Sequence, residues 1–117
     1  MKRKYSHKEF ERDVQIITRR ISEGHKIYKN IYAVPRGGLI LGVRLSHTLD
    51  LPLISKMHHI SKDTLIVDEI VDTGKTLNTY KDYDIVCLHW KTHASFEPFF
   101  YCNKTKSWIV YWWEEKC

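Results

Sequence analysis

Leu65-Ile66-Val67-Asp68-Glu69-Ile70-Val71-Asp72-Thr73-Gly74-Lys75-Thr76 carries more information than any other segment of the chain. A run of Leu, Ile and Val without polar alternation reads as a strand buried on both faces, the pattern of a parallel sheet covered by helices. The strand is expected to end at Asp68 and Glu69, with the Thr-Gly-Lys-Thr turn opening a helix. Unpaired main-chain N–H groups at a helix start attract phosphate. Carboxylates one step earlier suit sugar hydroxyls or a magnesium ion held on a diphosphate. The two halves together describe a site for a phosphorylated sugar. A nucleoside-triphosphate loop is excluded, because the glycine it requires ahead of Gly74 is replaced by Glu69, whose side chain blocks the backbone approach to phosphate.

Working outward, Ile31-Tyr32-Ala33-Val34 leads into Pro35-Arg36-Gly37-Gly38-Leu39. This reads as a short buried strand, a turn whose glycines permit unusual backbone angles, and an arginine placed to meet an anion. Downstream, Asp84-Ile85-Val86-Cys87-Leu88-His89-Trp90-Lys91 is another buried-strand pattern that ends in a lysine, and Lys106-Ser107-Trp108-Ile109 opens an aromatic tail. An aromatic face is a platform for a flat heterocycle, although large rings here also suit a core or an oligomer contact.

The acidic-pair segment resembles the phosphoribosyl-pyrophosphate signature of type I phosphoribosyltransferases. From about Ile31 to Trp113 the chain resembles the short bacterial xanthine-guanine members. The resemblance implies that Arg36, Gly37 and Gly38 hold pyrophosphate, often with a non-proline cis peptide next to the arginine, for which Arg36-Gly37 is the bond in question. It implies that Asp68 and Glu69 serve ribose hydroxyls and Mg2+, while strand alternation has them facing opposite sides of the strand end, and that Thr73, Gly74, Lys75 and Thr76 cradle the 5′-phosphate. Asp72 becomes the candidate base near N7 of a purine. Lys91 becomes the donor to its exocyclic oxygen, and Trp108 and Ile109 the stacking platform and edge contact. The implied activity is transfer of phosphoribose from phosphoribosyl pyrophosphate to guanine, xanthine or hypoxanthine in purine salvage. Two alternatives stand beside it. One is a weakly catalytic nucleotide-binding regulator or accessory subunit. The other is a pyrimidine enzyme, against which Lys91 and Trp108 argue.

The chain has two departures from the family pattern, one of them Lys75, which stands where the most similar members often carry a small residue although other branches have Lys. The mobile loop expected between the second strand and the signature strand is reduced to Ser55 through Asp63, so closure over the site is poor or borrowed from a neighbouring subunit.

At 117 residues and 43% hydrophobic content, residues 1–117 read as a single α/β domain. The expected architecture is a central, mainly parallel sheet flanked by helices, with a small C-terminal hood over the base formed by residues 99–113. Ser6 with Glu9 is a capping box, and Phe10, Val14, Ile17 and Ile21 give the apolar face of a first helix ending at Gly24. A second helix is expected from Gly38 to Leu49 and a short one from Lys75 to Tyr80. Leu53–Ile54 begins a strand that Met57–Ile60 extends or flanks. Such strands gather Arg36, Asp68, Asp72 and Lys91 at one sheet edge.

The formal charge of +5 permits nucleic acid binding, but an anionic substrate accounts for part of it, and no stable nucleic acid partner is expected. Cys87, Cys102 and Cys117 have no metal spacing and suit reduced thiols in a cytoplasmic protein. The pair His58-His59 reads as strand neighbours on opposite faces, unsuited to one metal. No apolar run approaches the roughly 20 residues of a membrane span. The small body and aromatic tail point to a homodimer or homotetramer.

Overall fold

A computed structural model describes residues 1–114; Cys117 lies outside the described residues. A five-stranded, all-parallel sheet forms the centre, with strands in the order β3-β2-β4-β5-β6. Its members are β2 (Asn30–Ala33), β3 (Leu53–Ile54), β4 (Thr64–Val71), β5 (Asp84–Lys91) and β6 (Phe100–Thr105). Helices α1 (His7–Glu23) and α2 (Leu39–Leu49) lie together on one face.

That face packs Phe10, Val14 and Ile17 of α1 and Leu41 and Leu45 of α2 against Ile31, Leu65, Val67, Val86 and Leu88. The opposite face gathers Tyr32, Ile66, Ile85 and Cys87 under Leu77 and Tyr80. Leu65 and Val67 therefore point one way and Ile66 the other, which is why the run lacks polar alternation.

Ser6 caps α1 as expected, accepting the Glu9 N–H at 3.1 Å, and Gly24 follows its last turn. The buried face of α1 also carries Asp13, a position its apolar spacing does not announce. A buried carboxylate is tolerated only with donors around it. Tyr5 Oη (2.6 Å) and Asn103 Nδ2 (2.9 Å) donate to Oδ2, and Arg12 Nε donates to Oδ1 at 3.1 Å.

Several expectations are corrected. β4 continues through Glu69 and Ile70 to Val71, so the acidic pair lies inside the strand. Its ladder with β5 pairs Asp68 with Cys87 and Ile70 with His89 but passes over Glu69. Lys75–Tyr80 is not an α-helix: a single 3-10 turn at Leu77–Tyr80 is all that fits between the phosphate loop and β5. Met57–His59 is likewise a 3-10 turn rather than strand, and the rings of His58 and His59 pack edge to face at 4.2 Å.

The expected hood is divided. Phe100–Thr105 is the edge strand of the main sheet, and only β7 (Trp108–Tyr111) leaves it. β7 pairs in parallel with β1 (Lys2–Tyr5), matching Lys2 to Trp108 and Tyr5 to Tyr111. Three exposed basic residues precede one buried tyrosine in β1, so that strand gives no alternating signal of its own. Behind β7, Tyr111 stacks on Trp113 (centroids 4.7 Å apart), and Phe10 meets both Trp112 and Trp113 edge to face. Most of the aromatic tail thus closes the core instead of facing outward.

Candidate functional site

The C-terminal ends of β2, β4 and β5 bring Gly37, Asp68, Glu69, Asp72 and Lys91 to one sheet edge, where β7 adds Trp108 and Ile109. After β2, the chain turns through Pro35, Arg36, Gly37 and Gly38 into α2, with Gly38 N–H bonded to Val34 C=O at 2.9 Å. The cis peptide bond of this turn joins Pro35 to Arg36, one step ahead of Arg36-Gly37. Both glycines are required by close approach. A Cβ on Gly37 would overlap the Glu69 carboxylate, and one on Gly38 would come within 2.6 Å of Val67 C=O. Gly38 therefore serves packing, while Gly37 clears space beside the acid.

A pocket of about 230 Å³ opens between this turn and the end of β4, lined by Pro35, Gly37, Asp68, Glu69, Asp72, Thr73, Gly74 and Thr76. Both carboxylates of the pair line it, contrary to the expectation that they face opposite sides. The interruption of the β4–β5 ladder at Glu69 accompanies this shared orientation. Asp68 is buried, and its Oδ1 accepts the Glu69 N–H at 2.8 Å. Burial first, and then the neighbouring Glu69, push its pKa up to about 9. Such a pair is short of positive charge and hydrogen-bond donors, which a divalent cation or a sugar diol supplies. The residues present therefore fit Mg2+.

The phosphate loop closes the pocket floor. Gly74 adopts φ +88, a left-handed conformation that suits glycine. Thr73 Oγ1 accepts the Lys75 N–H at 3.1 Å, and Thr73 C=O accepts the Ser95 N–H at 2.9 Å. The Lys75 side chain is exposed and does not line the pocket. With one 3-10 turn behind it, the loop offers local N–H groups rather than a helix dipole.

A second pocket of about 220 Å³ is lined by Glu69, Ile70, Asp72, Lys91, Trp108, Ile109, Tyr111 and Glu114. Asp72 belongs to both pockets. Lys91 is only 8% exposed, a costly place for an ammonium unless it is paired. Its Nζ lies 3.3 Å from Asp72 Oδ1 and 5.8 Å from the centre of the Trp108 ring. Trp108 is 62% exposed, so its ring is free to take a flat ligand, while Ile109 is buried beneath. Arg36 stands exposed at a third cleft, with Gly37, Leu39, Ile40 and Glu69.

The chain aligns nearly end to end with a purine phosphoribosyltransferase from Pyrococcus horikoshii. The two share 30% identity and a TM-score of 0.86, over 99% of this chain and 96% of that one. This chain belongs to the type I phosphoribosyltransferase family. Other members of the fold are similar over most of their length. A xanthine-guanine-hypoxanthine phosphoribosyltransferase from Helicobacter pylori is 24% identical, with a TM-score of 0.83 over 97% of this chain and 93% of its own. A Neisseria gonorrhoeae protein solved with bound ppGpp is 19% identical, with a TM-score of 0.78 over 98% of this chain and 91% of its own. No protein-family model matches the chain, and no curated protein does.

Three residues at the family's sheet edge escape the sequence reading. His93 Nε2 lies 3.6 Å from Asp72 Oδ1, two residues beyond Lys91. Tyr111 Oη donates to Glu69 C=O at 3.2 Å and lies 3.0 Å from His89 Nδ1. Since the hydroxyl has one proton, His89 is the donor in the second contact. Burial lowers the His89 pKa to about 4, which keeps the ring neutral. Glu114 Oε1 accepts the Tyr111 N–H at 2.9 Å. Only His93 leaves a trace in sequence, as a titratable side chain just after the strand-ending lysine; the other two act through folding contacts.

Proposed function

We propose that this chain transfers the 5-phosphoribosyl group from phosphoribosyl pyrophosphate to a 6-oxopurine, releasing pyrophosphate. The observation that carries the proposal is the pair of adjoining pockets sharing Glu69, Ile70 and Asp72. A sugar phosphate in the first and a base in the second bring the anomeric carbon and the attacking nitrogen together beside Asp72. Family membership supports the reaction class, and the named purine enzymes of the same fold support the acceptor.

In this reading the bond from C1 to the pyrophosphate oxygen breaks, a carbon–nitrogen bond to the purine forms, and Asp72 takes the proton the base gives up near N7. Charge moves onto the leaving diphosphate as the sugar becomes oxocarbenium-like, and Arg36 with the Gly37 turn receives it. Thr73, Gly74 and Thr76 hold the 5′-phosphate through hydroxyl and main-chain donors, with Lys75 contributing field from outside. Asp68 and Glu69 orient the ribose hydroxyls. Bound there with the diphosphate, Mg2+ would neutralise leaving-group charge. Lys91 donates to the exocyclic oxygen, Trp108 stacks on the ring and Ile109 meets its edge. The chain acts as a single domain in the cytoplasm, in purine salvage. A homodimer or homotetramer is part of the proposal, supported by the exposed Leu39, Ile40 and Val43 along α2.

The test is pyrophosphate release from phosphoribosyl pyrophosphate and Mg2+ with a panel of bases. Release that depends on guanine, xanthine or hypoxanthine is expected. Calorimetric binding of the sugar diphosphate without release from any base would overturn the enzyme reading in favour of a nucleotide-binding module.

A further inference from the structure

Asp72 has two nitrogen-bearing side chains beside one oxygen. Lys91 Nζ approaches Oδ1 to 3.3 Å, and His93 Nε2 stands 3.6 Å from the same atom. Lys91 alone is buried. In the functional reading above, on which this inference rests, Lys91 must also reach the exocyclic oxygen of the base. An ammonium has three donors but only one location, so moving toward the base lengthens its contact with Asp72. The carboxylate then loses its nearest partner at the moment its position matters.

His93 is placed to keep it. The turn that presents it is closed by Ala94 N–H on Lys91 C=O at 2.9 Å. The next residue, Ser95, bonds Thr73 C=O through its N–H at 2.9 Å, and its side chain lies against Gly74. The segment carrying His93 is thus fastened to the loop that carries Asp72, whatever Lys91 does. At 3.6 Å the imidazole is beyond good hydrogen-bonding distance. A small rotation toward it closes that gap when Lys91 withdraws.

The geometry points to His93 as a positioning residue that takes Asp72 over from Lys91 as the purine binds. A contribution to folding is a poor account of the contact. The two side chains are 58% and 46% exposed, and exposed pairs of this kind add little stability.

The test compares His93→Ala and His93→Gln with the wild-type chain in steady-state pyrophosphate release, varying base and phosphoribosyl pyrophosphate separately. Losing the orienting contact is expected to lower kcat by about 10- to 100-fold in His93→Ala. The KM for phosphoribosyl pyrophosphate and the melting temperature stay at wild-type values. His93→Gln, which retains a donor, recovers a substantial part of the loss. Wild-type turnover that His93→Ala leaves untouched overturns the inference while the parent function stands, and so does equal loss in both variants with a lowered melting temperature. A wild-type chain inert with every base is a different result, which takes the parent function and this inference down together.

Discussion

Replacing Asp68 with asparagine should stabilise the free protein while disabling it, by an amount that depends on pH. The Asp68 carboxyl, ordinarily near 3.8, is raised to about 9 by burial and by Glu69. Between those values the native state holds a proton that the unfolded chain has released. Stability is therefore full below the ordinary carboxylate range and falls as pH rises through the window toward 9. At pH 7 the unfolded group is about 3 units past its midpoint, so at about 1.36 kcal/mol per unit the native state gives up at most about 4 kcal/mol. Asparagine mimics the protonated acid, keeps an acceptor for the Glu69 N–H, and has no proton to lose. Urea unfolding of both proteins from pH 4 to pH 8, analysed by linear extrapolation, measures the difference. Asp68→Asn should match wild type near pH 4 and exceed it by about 2–4 kcal/mol near pH 8. Mg2+ should narrow the gap by stabilising only the wild type. A difference that stays flat with pH, or an asparagine variant less stable at pH 8, would refute the argument.

Asp72→Asn should fold normally yet lose roughly 10²–10⁴ in turnover, the range for a missing general acid–base group; unchanged steady-state rates would remove Asp72 from that role. Gly37→Ala forces a methyl group into the Glu69 carboxylate, so binding of phosphoribosyl pyrophosphate by calorimetry should weaken far more than binding of free purine. Tyr111→Phe strips the donor from Glu69 C=O and the acceptor from His89 Nδ1. It should cost about 1–3 kcal/mol in chemical denaturation, the penalty for leaving buried polar groups unpaired.

The parallel sheet, both long helices and the edge that collects Asp68, Asp72 and Lys91 are legible in the chain, because periodicity and turn residues act locally there. The capping box at Ser6 and the apolar spacing of α1 are of this kind. What escapes notice depends on distant partners. β1 is three exposed basic residues and a tyrosine, and becomes a strand only because β7 lies beside it. Asp13 is buried because Tyr5 and Asn103 meet it across the core. Strand alternation predicts opposite faces for Asp68 and Glu69, and fails where the ladder passes over Glu69. The aromatic tail illustrates ambiguity of type: composition does not distinguish Trp113, stacked on Tyr111, from Trp108, which faces outward.

The pairing of Lys2 with Trp108 has a consequence for how the site is assembled. The sugar-phosphate half of the site draws on β2 and β4 and the loops beside them, segments close in sequence, whereas the platform for the base joins the first described strand to the last. Met1 C=O accepts the Trp108 N–H at 2.9 Å, so even Met1 is part of the wall behind the acceptor. Contacts spanning nearly the whole chain are slow to close. The wall behind the acceptor is therefore the part of the site that depends on the longest-range pairing, while the donor half is built from near neighbours.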